Sequence, residues 1–214
     1  LRRWFVRRRA RRNRDPGRSL LAPEEVEHDG VILRRITVDD APALSRAAIE
    51  SLDHLRPWMP WATPEGTSLE TQRDRLLGPA TLWNSGSGYE YGIFLPDGSL
   101  VGGCGLHRRI GPSALEIGYW VHVDHTRRGI ATASAGALTA VGFGLRGIER
   151  MEIHCDEANL ASASVPPKLG YRLTGRIEHV AEAPGEVGSR LIWVLYRREW
   201  EARASRTSSP GTVD

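Results

Sequence analysis

Cysteine, lysine and long apolar runs are what this chain has least of. Its 214 residues contain two cysteines, Cys104 and Cys155, far apart in sequence. They can form neither a disulfide framework nor a CxxC metal knuckle, and so sparing a usage fits a reducing, cytoplasmic compartment. No apolar run approaches the roughly 20 residues of a membrane-spanning helix, so no membrane association is expected. No segment repeats at a period of about 20–50 residues, which excludes solenoids and propellers. Lys168 is the single lysine among 29 basic residues. What is present, 40% apolar and 26% charged residues, suits one globular domain with a sizeable core.

The net charge of +3 conceals an asymmetry. Residues 1–20 hold nine arginines and one acid, Asp15, and so contribute +8, which leaves the remaining 194 residues at −5. Like charges repel and apolar surface for a core is lacking, so 1–20 reads as a disordered arm that could touch nucleic acid weakly. Arg2-Arg3 opens no export signal, because more arginine stands where an apolar stretch of about 7–15 residues is needed. Ala202–Asp214 is rich in Ser, Thr and Gly and reads as a loose tail. The expected division is therefore an arm at 1–20, a domain at 21–200 and a tail at 201–214.

Between the ends, helical and strand patterns alternate. Strands are expected at Val31–Ile36, Tyr89–Leu95, Ser99–His107, Leu115–Val123, Arg150–Cys155, Tyr171–Ala181 and Arg190–Tyr196. Pro96-Asp97-Gly98 joins the second and third as a hairpin, and Pro184-Gly185 separates the last two. Helices are expected from Asp39/Asp40 to about Leu52, from Thr67/Ser68 to Leu77, from Gly129 to Leu145, and as a short piece at Ser164–Leu169. Helices among hairpins imply a mixed α/β (α+β) domain: one central sheet with helices on its faces.

Two segments can carry chemistry. In residues 121–133, a strand runs through Arg127-Arg128-Gly129-Ile130-Ala131-Thr132 into a helix start. The unpaired N–H groups of a first helical turn, the helix dipole and two arginines make an anion site suited to a pyrophosphate. An ordinary strand–helix turn is the plainer alternative. The third glycine of a dinucleotide-binding GxGxxG is missing, and no GKS or GKT marks a nucleotide P-loop. The second segment, Asn159 to Tyr171, puts the amide of Asn159 and the hydroxyl of Ser162 on a loop after a strand. His122 and His125 stand on a strand exit without a carboxylate–histidine set to complete a coordination sphere, so no metal is expected.

Glu116-Ile-Gly-Tyr119-Trp120-Val, Arg127-Arg-Gly129-Ile-Ala131-Thr132, and Asn159-x-x-Ser162-x-x-Val165-x-x-Lys168-Leu-Gly170-Tyr171 together resemble the GCN5-related N-acetyltransferase superfamily. His54-Leu-Arg-Pro57-Trp58-Met-Pro60-Trp61 resembles its ribosomal-protein-alanine acetyltransferase (RimJ/RimL-like) branch. The likeness runs over about residues 31–197. It implies a mostly antiparallel sheet splayed near its middle, with acetyl-CoA as co-substrate wedged into the split. The pyrophosphate would rest on the amides of residues 127–132, and the pantetheine arm would run along the 119–123 strand, where Val121 and Val123 are the candidate contacts. Asn159 and Ser162 match positions near the pantetheine and the thiol.

Three departures from the family pattern stand out. Thr126 replaces the usual Gln or Arg three residues before Gly129, Pro166-Pro167 precedes Lys168 where a Glu is usual, and Thr132-Ala133-Ser134 lacks the usual acid. Proline is tolerated only in a helix's first turn, so the short helix must begin at about Ser164 or be kinked.

The resemblance implies transfer of an acetyl group to a primary amine by direct attack in a ternary complex. A free α-amine, with a pKa near 7.8, is roughly a tenth neutral at pH 7, whereas deprotonating a lysine costs about 4–5 kcal/mol. A protein N-terminus is therefore the favoured acceptor. Glu116, on the polar phase of its strand, is the candidate base, directly or through water, or else a solvated strand residue. Ser162 is the candidate to protonate the thiolate or hydrogen-bond the sulfur, or else it caps a turn. Trp58 and Trp61, with Met59, Trp83 and Trp120, would line the acceptor site or sit partly in the core. A small-amine or antibiotic acceptor, a succinyl-CoA donor, a homodimer and a non-catalytic acyl-CoA-binding regulatory module remain alternatives.

Overall fold

The structure is a computed structural model that describes residues 19–207. Most of the arginine-rich arm and the end of the tail lie outside the described residues. The organising element is one eight-stranded sheet in the order β1-β2-β3-β4-β5-β6-β8-β7. Its strands are β1 (Glu25–His28), β2 (Val31–Arg35), β3 (Gly88–Phe94), β4 (Leu100–His107), β5 (Ala114–Val121), β6 (Arg150–Asp156), β7 (Arg172–Glu178) and β8 (Ser189–Tyr196). Neighbours are antiparallel except β5 and β6, which are parallel.

The sheet divides the molecule into two faces. On one lies α6 (Ile130–Gly144), with α7 (Leu160–Ala163) and α8 (Val165–Leu169) beside it. The apolar phase of β5, Leu115, Ile117 and Val121, joins Leu138 and Ile130 of α6 in the main core. Alpha6 is apolar on nearly all sides and is buried accordingly. Fully enclosed residues such as Leu106, Leu115 and Leu138 each contribute about 1.5–3 kcal/mol of burial. Gly142 packs so closely on β6 that a side-chain carbon there would have to displace the flexible end of Met151.

The other face carries α1 (Ala41–Glu50), α2 (Leu52–Leu55), α3 (Pro64–Thr67) and α4 (Leu69–Leu77); α5 (Pro79–Ser85) leads into β3 and sends Trp83 into the main core. Asp40 precedes α1 with Pro42 in the first turn, as expected, and the Ser68 hydroxyl caps α4 by accepting from Thr71 N–H. Ile36, Ala41, Leu44 and Leu76 form a smaller core that Trp120 packs against. Alpha9 (Arg197–Thr207) follows β8 directly, and Arg197 Nε donates to the Ile148 carbonyl at 2.7 Å. Residues 201–207, read from sequence as the start of the tail, are the second half of this helix.

Strand β1, the short helices α2, α3, α5 and α7 (the last where a loop is expected at Asn159–Ser162) and the helical extent of 201–207 go beyond what the sequence pattern indicates. Beta1 has one buried residue, Val26, and is too short to show an alternation. Among the described residues, no helix is long and apolar enough to cross a membrane.

Candidate active site

The parallel ladder between β5 and β6 is short. It pairs Ala114–Ile117 with Arg150–Ile153, and then the strands part, although β5 continues to Val121 and β6 to Asp156. Beyond Ile117, β5 keeps its partner only on the β4 side, where Gly118 to Val121 pair with Gly105 to Gly102. Its other edge is left for a ligand, since a backbone row without a strand partner is a template for an added one.

Val121 closes that open edge. Val123, expected on the same strand, lies past its end in a 3₁₀ turn (Val123–His125), and its N–H is held by the Ser51 hydroxyl at 3.1 Å. His122 is likewise structural: one ring nitrogen lies 2.9 Å from the Glu50 carboxylate, and the other accepts from Asp124 N–H.

The open edge leads to the N-terminus of α6. Arg127 and Gly129 both adopt left-handed backbone, with φ of 59° and 82°. The first helical bond runs from Ala133 N–H to the Gly129 carbonyl at 2.8 Å. The amides of Ile130, Ala131 and Thr132 therefore precede the helical ladder and are directed outward. A side-chain carbon on Gly129 would meet nothing within 4 Å, so the turn that leads into these amides is open at Gly129. Arg128, Gly129, Thr132 and Lys168 line a cavity of about 830 Å³ that extends to the β1–β2 turn. Basic side chains at the rim and bare amides at the base suit an anionic ligand.

Ser162 and Asn159 meet at the mouth of the split. The Asn159 side chain accepts from Ser162 N–H at 3.0 Å and so caps α7. The Ser162 hydroxyl lies 3.2 Å from the Tyr119 hydroxyl, which reaches it from β5. Burial pushes the Tyr119 phenol up, so it stays protonated. The two prolines before Lys168 occupy the first turn of α8, which starts at Val165; no kink is needed, and Ser162 is fixed by α7 instead.

On the opposite face, Glu116 and Trp120 project from β5. Glu116 is 6% exposed and its carboxylate is gripped by Arg109, with Nε to Oε2 at 2.7 Å and a second guanidinium nitrogen to Oε1 at 2.5 Å. Burial alone would raise its pKa; the Arg109 hydrogen bonds and charge, with His154 nearby, outweigh burial and hold the carboxyl below its ordinary range. Beta6 adds Glu152 and His154 to the same face, with Arg150 Nε 2.6 Å from Glu152. Sequence reasoning passed over Arg109, Glu152 and His154. The signal was there: Arg150, Glu152 and His154 alternate with Met151, Ile153 and Cys155, so a central strand has one charged face.

Trp61 meets Trp120 edge-on at 5.8 Å between ring centres, and both are half-buried, as are Trp58 and Met59. The Trp120 indole lies over Gly103, where a side-chain carbon would be 2.8 Å from its nitrogen. Trp83 does not belong to this group: it is buried in the main core against Tyr89 and Tyr91. The β7–β8 loop closes the other side, with Gly185 N–H bonded to the Pro57 carbonyl at 2.9 Å.

A ligand that uses both the open strand edge and the bare amides must be long, thin and anionic at one end. A coenzyme A thioester has that form, and the fold with this split defines an acyl-CoA-dependent transferase. The chain belongs to the acetyltransferase (GNAT) domain family, whose model matches residues 31–172. Its acyl donor is accordingly acetyl-CoA. Among curated relatives, it is 27% identical over 177 residues to YdaF of Bacillus subtilis (strain 168), whose name assigns it provisionally to ribosomal N-acetylation; the match covers 81% of this chain and 95% of that one. Among solved structures, Mycobacterium smegmatis RimJ in complex with a CoA-disulfide aligns with a TM-score of 0.72 and 25% identity, over 87% of this chain and 93% of that one. The ribosomal-protein-S5-alanine acetyltransferase of Vibrio fischeri shares the fold, with a TM-score of 0.73 at 18% identity over 82% and 98% of the two chains.

Proposed function

We propose that this enzyme acetylates the α-amine of a protein N-terminus by direct attack on bound acetyl-CoA in a ternary complex. The observation that carries the reading is the parting of β5 and β6 after Ile117 and Ile153, which joins a cofactor edge on the α6 face to a charged pocket on the other. The amides of 130–132, with Arg127 and Arg128, would hold the diphosphate, while the free edge of β5 up to Val121 takes the pantetheine arm. Asn159 would support that arm, and Ser162, oriented by Tyr119, would donate to sulfur as the thiolate departs.

The pocket favours an α-amine over a lysine. Its carboxylates are already paired with arginines, so no strong base is present to overcome the about 4–5 kcal/mol that a lysine demands. Glu116 has both oxygens on Arg109 and a lowered pKa, which suits it to attract an ammonium and to act on its proton through an intermediary rather than directly. The half-buried Trp58, Trp61 and Trp120 would pack against the acceptor's first residues and exclude water. The name of YdaF supports a ribosomal protein as acceptor.

The test is thiol release from acetyl-CoA with hexapeptides beginning in Ala, Ser, Thr or Met, set against free lysine, small polyamines, an aminoglycoside and succinyl-CoA. Turnover with one or more peptides, at least about tenfold faster than with any small amine, is expected. Faster turnover of a small amine would replace the acceptor, and acetyl-CoA binding without release throughout would make the protein a sensor rather than an enzyme.

A further inference from the structure

We infer that His154 is the group that removes the proton from the acceptor amine. This rests on the acetyltransferase reading above and names the intermediary which that reading leaves open. His154 is the first residue of β6 beyond the last β5–β6 pair, so it stands at the apex of the split. It shares a face with Glu116 and Glu152, the side away from α6, and its side chain is 15% exposed, enough for contact with a substrate entering from that side. Its Nε2 lies 2.6 Å from Glu152 Oε2. A carboxylate at that distance fixes the tautomer with the proton on Nε2 and leaves Nδ1 with a lone pair. Nδ1 faces Glu116 Oε2 at 3.7 Å, too far for a hydrogen bond between the two. An ammonium hydrogen can therefore approach Nδ1 with the Glu116 carboxylate beside it.

Charge and acidity agree with that geometry. The groups around the ring are Glu116 on β5, Glu152 and Arg150 on β6, and Arg109, which pairs with Glu116; on β8 the residue directly opposite is Ile192, an apolar neighbour, with Arg190 two places along the strand. Each carboxylate has its own arginine, so the surroundings are close to neutral. A carboxyl held below its usual range by Arg109 is a poor base toward an α-ammonium, which leaves the proton to a neighbouring group with a lone pair in reach. The other imidazole on this face, His107, packs over Gly105 and Gly118, and burial pushes its pKa down, which disfavours its taking up a proton.

The step balances as follows. Nδ1 takes one proton from the ammonium, and the imidazolium passes it to solvent at the exposed edge. The freed lone pair forms the C–N bond at the thioester carbonyl, and the C–S bond breaks. The second amine proton goes to the departing sulfur, giving an amide, a thiol and one proton in solution.

The experiment is the pH profile of kcat with the best peptide of the panel, for the native enzyme, His154→Gln, His154→Asn and Glu116→Gln. Two amide replacements are used because either can keep the contact to Glu152; calorimetric acetyl-CoA affinity within threefold of native certifies the fold. A loss of about 100-fold or more in kcat is expected for a His154 variant, with the fall of kcat at acid pH abolished. Glu116→Gln should keep that fall and raise the acceptor KM. A structural role for His154 would weaken cofactor binding and leave the profile's shape alone. A folded His154 variant within threefold of native kcat, or the acid fall lost on His107→Gln instead, overturns the assignment. If the native enzyme turns over no acceptor, the acetyltransferase reading itself has failed.

Discussion

On the proposed reading, the two sides of the split would recognise their ligands by different means. On the α6 side the proposed contacts are mostly main chain, amides at a helix start and an unpartnered strand edge, with Arg127, Arg128, Asn159 and Ser162 as side-chain additions. On the other side they are side chains: Arg109 from the end of β4, Glu116 from β5, and Glu152 and His154 from β6. Main-chain recognition tolerates wide change in sequence as long as backbone geometry is kept, and so suits a ligand common to a whole family. Side-chain recognition can be rewritten residue by residue, and so suits the ligand that differs among relatives. The split therefore separates what this enzyme shares from what makes it particular.

That contrast can be attacked from both sides. The largest effect should come from Gly129→Glu, which sets a negative charge before the amides of 130–132 and imposes left-handed strain of about 1–2 kcal/mol. Calorimetry should show acetyl-CoA affinity falling more than about 100-fold, with the circular dichroism spectrum kept; unchanged affinity would move the diphosphate elsewhere. Next is Glu116→Gln, for which the acceptor KM should rise about 10- to 100-fold while the acetyl-CoA Kd stays within threefold. Equal damage to both constants would erase the division of labour.

Asp156 tests the frame that holds the acceptor side. Its carboxylate is 1% exposed and accepts from the amides of Ala158, Val187 and Gly188 and from His179. Burial is outweighed by these hydrogen bonds, and its pKa is lowered. A group depressed on folding stabilises above its unfolded pKa, about 3.9, and that contribution is lost as pH falls through the folded value. Asp156→Asn should therefore cost on the order of 1–2 kcal/mol at neutral pH, and the gap to native should close in acid below about pH 4. Urea midpoints at pH 7 and pH 3 measure it; a gap that widens in acid would refute the account. The smallest effect is expected for Ser162→Ala, less than about tenfold in kcat, because coenzyme A thiolate is an adequate leaving group and Tyr119 stays nearby. A loss above about 100-fold would make Ser162 a required acid.

Much of the candidate cofactor side was legible in sequence because its parts are contiguous. Arg127 to Thr132 and Asn159 to Ser162 are each one short stretch, and left-handed backbone at a glycine before an apolar helix has a local signature. Glu116 could be placed on the correct face from the alternation of β5, but its partner could not. Arg109 reaches it because His107 pairs with Glu116 across β4 and β5 and the chain turns at 108–113, a matter of register. His154 meets Glu116 only through the pairing of Ile117 with Ile153. Trp83 went astray for the converse reason: tryptophan is equally at home in a core and in a lid, and only tertiary packing chooses.

The bond from Gly185 N–H to the Pro57 carbonyl, together with Asp156 under Val187 and Gly188, ties the β7–β8 loop to the tryptophan segment from opposite ends of the chain. A side-chain carbon at 185 would collide with Pro57, so neither segment can be exchanged without disturbing the other. Anyone regrafting this scaffold toward a new clientele will have to transplant the two loops as a matched set.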